Sequence, residues 1–222
     1  MLGFEPAEAT NRMKSIQSHY EQLFREVDRN YRIKITGLMA EGWVSPNGKA
    51  AVEKVATDLN IVLARITEQL SRSFAQLNDA CVIAMKVLTD PKLGGGHYDG
   101  PYYHSMTFEK SNTKFNADDA KTNLNGKLYI YDNKLNDVIE NIQSFNTFVN
   151  ERLDSIEANA KKMPIEDEGN AIIGAIETVF KSIKQDINNV TKETCDAINT
   201  KLSETDADVI QAKKNAQAAM GQ

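Results

Sequence analysis

Four long stretches of apolar side chains, spaced alternately three and four residues apart, constrain the fold of this 222-residue chain more than any other feature. Such spacing places the apolar side chains on one face of an α-helix, and its sustained alternation favours left-handed, coiled-coil-like packing. The sequence therefore predicts an all-α protein. The clearest stripe, in residues 46–89, consists of Val52, Val55, Leu59, Val62, Ile66, Leu70, Phe74, Leu77, Cys81, Ala84 and Leu88.

The other three stripes predict helices over about 8–40, from about 116, and after Pro164. The first comprises Met13, Ile16, Tyr20, Leu23, Val27, Tyr31, Ile35 and Leu38. The third comprises Leu124, Leu128, Tyr131, Leu135, Val138, Ile142, Phe145, Val149, Leu153 and Ile156. The fourth, with acidic residues 166–168 in its opening turn, comprises Ile172, Ile176, Phe180, Ile183, Ile187, Val190, Thr194, Ile198 and Leu202.

The breaks between the stripes predict how the helices connect. At the first break Gly42 suits a helix C-terminus, Ser45 can cap the next helix, and Pro46 fits a first helical turn. Residues 91–115 form a Gly- and Tyr-rich linker, flanked by a helical hairpin over 1–90 and a second over 116–222 whose C-terminal end frays. We expect two long antiparallel hairpins that pack as an elongated four-helix bundle, because that arrangement hides most of the apolar surface.

The composition and the apolar pattern of the chain limit the classes of protein to which it can belong. The net charge of −5 argues against nucleic-acid binding, which needs clustered excess Lys and Arg. A membrane-spanning segment is not expected, since no apolar run of about 18 residues occurs. The first residues lack the basic start and apolar core of a signal peptide, so we expect a cytoplasmic protein or one secreted without a cleavable leader. Cys81 and Cys195 lie on predicted stripes and are interpreted as buried small hydrophobes.

No catalytic, cofactor or metal site is predicted. His97, Asp99 and His104 are of metal-ligand type, but their spacing matches no common site and a solvated loop is the favoured interpretation. Residues Gly94–Gly96 are not followed by the Lys-Ser/Thr of a phosphate loop. The carboxylates of residues 166–168 are interpreted as helix-start electrostatics. We therefore do not expect an enzyme.

The first 90 residues resemble the WXG100, or ESAT-6-like, family of small helical hairpins exported by type VII secretion systems. The resemblance rests on Trp43 between two amphipathic helices, with Ser45 in place of the family's glycine. It implies that Trp43 and Ser45 belong to a surface read by the secretion machinery, and that residues 116–205 serve as a built-in partner for the first hairpin. None of the seven tyrosines begins the family's Tyr-x-x-x-Asp/Glu export signal. Alternatively, Trp43 only plugs the end of the hairpin.

Three linker tyrosines, Tyr98, Tyr102 and Tyr103, are further candidates for partner contact, because tyrosine supplies rigid contact area at interfaces. The alternative is that they pin the linker against the helices. The predicted function is a non-enzymatic protein-protein interaction module of type VII secretion, whose partner is the machinery, another helical hairpin, an effector or a second copy of the chain. Two rivals stay open: a cytoplasmic coiled-coil adaptor or chaperone for an effector, and a helical pore-forming toxin.

Overall fold

The computed structural model describes residues 2–93, 95–110, 114 and 128–221. These residues are mostly helical, as the stripes predict. The helices are α1 (Pro6–Glu26), α2 (Ile33–Gly42), α3 (Pro46–Thr89), α4 (Asp132–Ala160) and α5 (Ala171–Ala219), with a π-helical segment at Val27–Arg32 and a 3-10 turn at Pro91–Leu93. The strands are β1 (Leu2–Phe4), β2 (Trp43–Val44), β3 (Tyr129–Ile130) and β4 (Ile165–Asp167).

The predicted stripes form the core of the described helices. Every predicted stripe residue of α3 from Val52 to Ala84 is buried, and so is every one of α4 from Leu135 to Ile156. The first stripe is correct as far as Val27 and again at Ile35, which is buried; between them, at Val27–Arg32, the helix becomes π-helical and its register shifts. Beyond that shift Met39 is buried, whereas the predicted Leu38 is only half-buried. Within the described residues, no helix has the length and apolar character needed to cross a membrane.

The chain divides into two compact units. Unit 1 comprises residues 1–24, 65–112 and 149–187, and unit 2 comprises residues 25–64, 113–148 and 188–222. Each unit contains parts of several helices, because α3, α4 and α5 each have residues in both units. This division by contacts cuts across the helices, and the hairpin boundaries predicted from the sequence, 1–90 and 116–222, stay a prediction.

Four contacts connect the helices of unit 1 in pairs. From α1, the Tyr20 hydroxyl lies 3.0 Å from Ser73 Oγ of α3, and His19 Nε2 lies 3.3 Å from Asn159 Nδ2 of α4. Arg65 Nε of α3 lies 2.9 Å from Asp186 Oδ2 of α5. Glu157 Oε2 of α4 lies 2.6 Å from Lys184 Nζ of α5. Each of the four helices thus contacts two others within this unit.

A two-stranded antiparallel ribbon joins the start of the chain to the turn between α4 and α5, also in unit 1. Leu2 of β1 pairs with Asp167 of β4. The prediction that residues 166–168 lie in the opening turn of a helix is wrong, because 165–167 form β4 and α5 begins at Ala171. Asp167 nevertheless caps that helix, since its Oδ2 accepts hydrogen bonds from Ala171 N at 2.7 Å and Ile172 N at 3.2 Å.

The start of the third helix also differs from expectation. The predicted third helix begins near residue 116, and residues 115–127 lie outside the described part of the chain. Leu128 and Tyr131, predicted as stripe residues of that helix, precede α4 and are exposed, so this part of the prediction is wrong. At the other end α5 continues to Ala219, with residues 211–221 all exposed.

Candidate functional site

The turn between α2 and α3 carries Trp43, and its local structure follows the predicted capping residues. Helix α2 ends at Gly42 and α3 begins at Pro46. The Ser45 hydroxyl accepts a hydrogen bond from Gly48 N at 2.9 Å, which satisfies one of the free N–H groups of the first turn of α3. The prediction that Ser45 caps this helix is confirmed. Trp43 is half-buried here.

The indole ring of Trp43 lies against Gly48. A Cβ atom added to Gly48 would collide with the backbone carbonyl oxygen of Trp43, and it would also come within 2.7 Å of Cδ1 and 2.8 Å of Cγ of the ring. Only a residue without a side chain therefore fits beneath the ring. This geometry supports the interpretation that Trp43 closes the turn, and it leaves part of the ring open to contact.

A second strand pairs with the Trp43 turn in unit 2. Trp43 lies opposite Ile130 in the antiparallel register, and Val44 lies opposite Tyr129. Tyr131 N donates a further hydrogen bond of 2.7 Å to the carbonyl oxygen of Gly42. These backbone bonds fix the segment just before α4 against the end of α2.

The paired segment presents apolar and aromatic side chains to solvent. Leu128 is 70% exposed, Tyr131 53% and Tyr129 39%. The rings of Tyr129 and Tyr131 lie 5.0 Å apart, at an interplanar angle of 44°. We call Leu128, Tyr129 and Tyr131 the corner surface. The corner surface is not predicted from the sequence, because Leu128 and Tyr131 also fit a helical stripe, although the β-branched and aromatic residues of 128–131 are typical of a strand.

Of the three linker tyrosines, all in unit 1, Tyr103 is buried, Tyr98 is half-buried and Tyr102 is exposed. Tyr103 is buried, its ring lies 6.1 Å from that of Phe4, and its hydroxyl donates a 2.8 Å hydrogen bond to Asn78 Oδ1. Asn78 also accepts from Met106 N at 2.9 Å and donates to Ser105 Oγ at 2.8 Å. Tyr103 therefore pins the linker against α3, as the alternative interpretation held. Tyr103 could contact a partner only if the linker detached from α3.

Tyr98 and Tyr102 differ from Tyr103 in their exposure. Their rings lie 5.5 Å apart in an edge-to-face arrangement, and Tyr102 is 47% exposed. Gly100 permits this pairing, because a Cβ atom there would meet the Tyr98 ring. These two tyrosines are accessible to a partner, and their role in binding stays a prediction.

Burial raises the pKa values of three ionisable groups, the thiols of Cys81 and Cys195 and the hydroxyl of Tyr103. Burial raises the pKa of the Cys81 thiol to about 12, although a hydrogen bond with Tyr103 acts in the opposite direction. Burial, together with the neighbouring Cys81, raises the pKa of the Tyr103 hydroxyl. In unit 2, burial raises the pKa of Cys195 to about 12 as well. Both cysteines are free and buried, which confirms their interpretation as small core residues.

The candidate metal ligands of the linker do not converge into a site. His97 Nε2 lies 2.6 Å from Asp99 Oδ1, and both side chains are almost fully exposed to solvent. In the part of the chain that the structure describes, no three His, Cys, Asp or Glu residues are grouped as metal ligands would be. The pair is thus a solvated contact on the linker surface.

Comparison with known proteins does not assign a family. No protein-family model matches the chain, and neither curated proteins nor solved structures give a significant match. The resemblance to WXG100 proteins accordingly rests on the residues of the Trp43 turn, and the function is inferred from the site itself.

Proposed function

We propose that this chain is a non-enzymatic protein-protein interaction module that resembles a WXG100-like substrate or accessory protein of type VII secretion. The observation that carries the proposal is the corner surface beside the Trp43 turn. Its side chains are large, apolar or aromatic, and exposed, and hydrogen bonds to the turn hold their backbone in place. Tyrosines in such surfaces are enriched among the residues that dominate binding energy.

The fixed geometry of the corner surface favours binding. The β2–β3 pairing and the Tyr131–Gly42 hydrogen bond order the backbone before any partner arrives. Contact between the Tyr129 and Tyr131 rings restricts both side chains further. A partner would therefore lose less conformational entropy on binding this surface than on binding a flexible segment.

The proposed architecture is the two-hairpin, four-helix bundle. Support comes from unit 1, where α1 contacts α3 and α4 while α5 contacts α3 and α4. Four helices that each contact two others are the arrangement expected around one core. Double-mutant cycles across His19 and Asn159, and across Arg65 and Asp186, join one hairpin to the other and should give non-zero coupling energies, whereas independent effects at both pairs would contradict this architecture.

Export is the test of the functional proposal. The chain should accumulate in the medium of intact cells and be lost from it when the type VII secretion ATPase is deleted. Strict retention inside cells would contradict export and favour the cytoplasmic adaptor. Leakage of dye from liposomes at low protein concentration would favour the pore-forming alternative.

The corner surface is tested by paired substitutions. Y129A/Y131A should reduce export several-fold while the circular dichroism spectrum and urea midpoint stay close to those of the wild type, because both rings are partly or largely exposed. The matched control is I61A/I83A, which removes two isoleucines that are more than half exposed. Wild-type export of Y129A/Y131A would show that this surface is not what the machinery reads.

A further inference from the structure

The last described part of the linker lies against α1 and α3 in unit 1. Residues 101–110 are neither helix nor strand, and within 103–110 only Tyr103, Met106 and Phe108 are not exposed. We call residues 103–109 the strap. The surface beneath it, which we call the strap groove, is formed by Gln17 and Tyr20 of α1 and Phe74 and Asn78 of α3.

Side-chain amides of the two helices bind the backbone of the strap at two points. Asn78 Oδ1 accepts a hydrogen bond of 2.9 Å from Met106 N. Gln17 Oε1 accepts one from Glu109 N, and Gln17 Nε2 donates one to the carbonyl oxygen of Glu109, both at 3.4 Å. These bonds depend on an extended backbone and not on the side chains of residues 106 and 109. The same two amides therefore suit the backbone of another extended peptide.

Two aromatic side chains of the strap fill the groove. The ring of Phe108 lies 5.2 Å from that of Tyr20 and 5.6 Å from that of Phe74. The Tyr103 ring is buried, and its hydroxyl donates to Asn78 Oδ1. Aromatic side chains in such pockets dominate the energy of many interfaces. The groove thus selects two aromatic residues five positions apart in an extended segment.

The floor of the strap groove is held together by contacts that do not involve the strap. The Tyr20 hydroxyl lies 3.0 Å from Ser73 Oγ, and the rings of Tyr20 and Phe74 lie 6.3 Å apart. These contacts join α1 directly to α3, so they keep the groove formed when the strap leaves. Tyr20 and Phe74 are almost fully buried at present, and their rings would then face water. Covering that apolar surface again would favour the binding of a peptide.

We infer that the strap groove is a peptide-binding site and that the strap is its built-in, displaceable ligand. Its partner is a protein with an extended segment that carries a tyrosine and, five residues later, a second aromatic residue. A partner segment must compete with the strap, because a tethered segment has an effective concentration in the millimolar range. The site lies in unit 1 and is independent of the corner surface in unit 2.

The full chain tests this inference through a variant that empties the groove. Y103S/F108S removes both aromatic rings of the strap, and its fold is checked by circular dichroism. The probe is a fluorescein-labelled peptide of residues 101–110, PYYHSMTFEK, whose binding is followed by fluorescence anisotropy. The variant should bind it at least about tenfold more tightly than the wild type, in which the tethered strap competes. F108S, which removes only the half-buried ring, gives the same comparison if Y103S/F108S does not fold.

Two controls show whether the aromatic side chains are responsible. H104S/T107S changes exposed side chains of the same strap and should bind the peptide as weakly as the wild type does. The peptide with serine in place of both aromatic anchors should not bind Y103S/F108S. Equal binding of the two peptides would contradict the aromatic selectivity.

The place of binding is tested at Asn78 and Cys81. Addition of N78A to Y103S/F108S should weaken peptide binding several-fold, because Asn78 binds both the backbone and the tyrosine hydroxyl. Cys81 forms a hydrogen bond with Tyr103, so a thiol reagent should label it faster in Y103S/F108S than in the wild type, and the peptide should slow that labelling. Cys195, which is buried in unit 2, is the internal control and should not respond to the peptide.

Three results would overturn the inference. The first is a folded Y103S/F108S or F108S that binds the peptide no better than the wild type. The second is binding that neither N78A weakens nor Cys81 labelling detects, because the peptide would then lie elsewhere. The third is a variant that dimerises and excludes the peptide, since a second copy would then be the occupant. None of these results bears on the corner surface, whose test is export.

Discussion

Replacement of Asn78 by alanine should destabilise the protein through the linker rather than through the helix that carries the residue. Asn78 is buried on α3 and makes three hydrogen bonds to the linker, with Tyr103, Ser105 and Met106 as partners. Alanine favours helices more than asparagine does, so the local effect on α3 should be slightly stabilising. The loss must therefore come from the linker contacts.

The magnitude follows from the three bonds. The net contribution of each is about 1 kcal/mol. The variant also leaves the Tyr103 hydroxyl and Met106 N–H without their acceptor, and a buried group left unsatisfied costs about 1–3 kcal/mol. We expect N78A to lower the free energy of unfolding by about 3 kcal/mol, which corresponds to roughly 6–12 °C in Tm for a chain of this size. Y103F removes one hydroxyl but keeps the ring and should cost about 1 kcal/mol.

Urea unfolding followed by circular dichroism measures the total effect, and hydrogen exchange of the Met106 amide measures linker detachment. Exchange of that amide should accelerate in N78A, because its acceptor is gone. The control is Q76A, an amide deletion at an exposed position of the same helix. A loss below about 1 kcal/mol together with unchanged exchange at Met106 would refute the reasoning, since the linker would then be held by something other than this asparagine.

Three further predictions concern the Trp43 turn, the thiols and the ion pairs of unit 1. G48A should displace both the backbone carbonyl and the indole of Trp43, the sole tryptophan, which should shift its fluorescence and destabilise the chain by about 1–3 kcal/mol. G37A, with open space around it, should not shift the emission. Both cysteine thiols, whose pKa values burial raises to about 12, should react with a thiol reagent at pH 8 only after urea unfolds the chain; rapid labelling of the folded protein would contradict their burial. Burial raises the pKa of Glu157, but its hydrogen bonds and charge interactions with two lysines outweigh this, so its pKa is lowered. The stability that Glu157 contributes is therefore present above its unfolded pKa, near 4.3, and is lost as the pH falls through its folded pKa. E157Q should lessen this loss of stability at low pH. If the urea stability of E157Q depended on pH as that of the wild type does, the contribution of Glu157 would be excluded.

The helices were predictable because their signal is local. A stripe from Val52 to Ala84 can be read from residues three and four positions apart, and burial in the structure follows it. The cap at Ser45 was predictable for the same reason, since donor and acceptor are three residues apart in the sequence. The register shift after Val27 was not, because nothing in the apolar spacing requires a π-helical turn.

The candidate site was only partly predictable because its assembly depends on distant pairing. Trp43 was identified from its position between two helices, but its partner strand begins at Tyr129, far along the chain. The stripe pattern placed Leu128 and Tyr131 in a helix, and the pairing with the Trp43 turn prevailed over that local preference. Asn78 gave no signal at all, because a polar residue on a long helix is usually interpreted as solvated.

Exposure separates the tyrosines that stabilise the fold from those available to a partner. Tyr20 and Tyr103 are buried with their hydroxyls hydrogen-bonded to Ser73 and Asn78, so their aromatic surface already contributes to the core. Tyr129 and Tyr131 leave much of their surface in water, where it contributes little to the free energy of folding. If another molecule covered that surface, its burial would contribute about 25 cal/mol of favourable free energy per Å² of apolar area, before the costs of association are subtracted. Beside the Trp43 turn, the folded chain thus holds ordered aromatic surface that the proposed partner would cover.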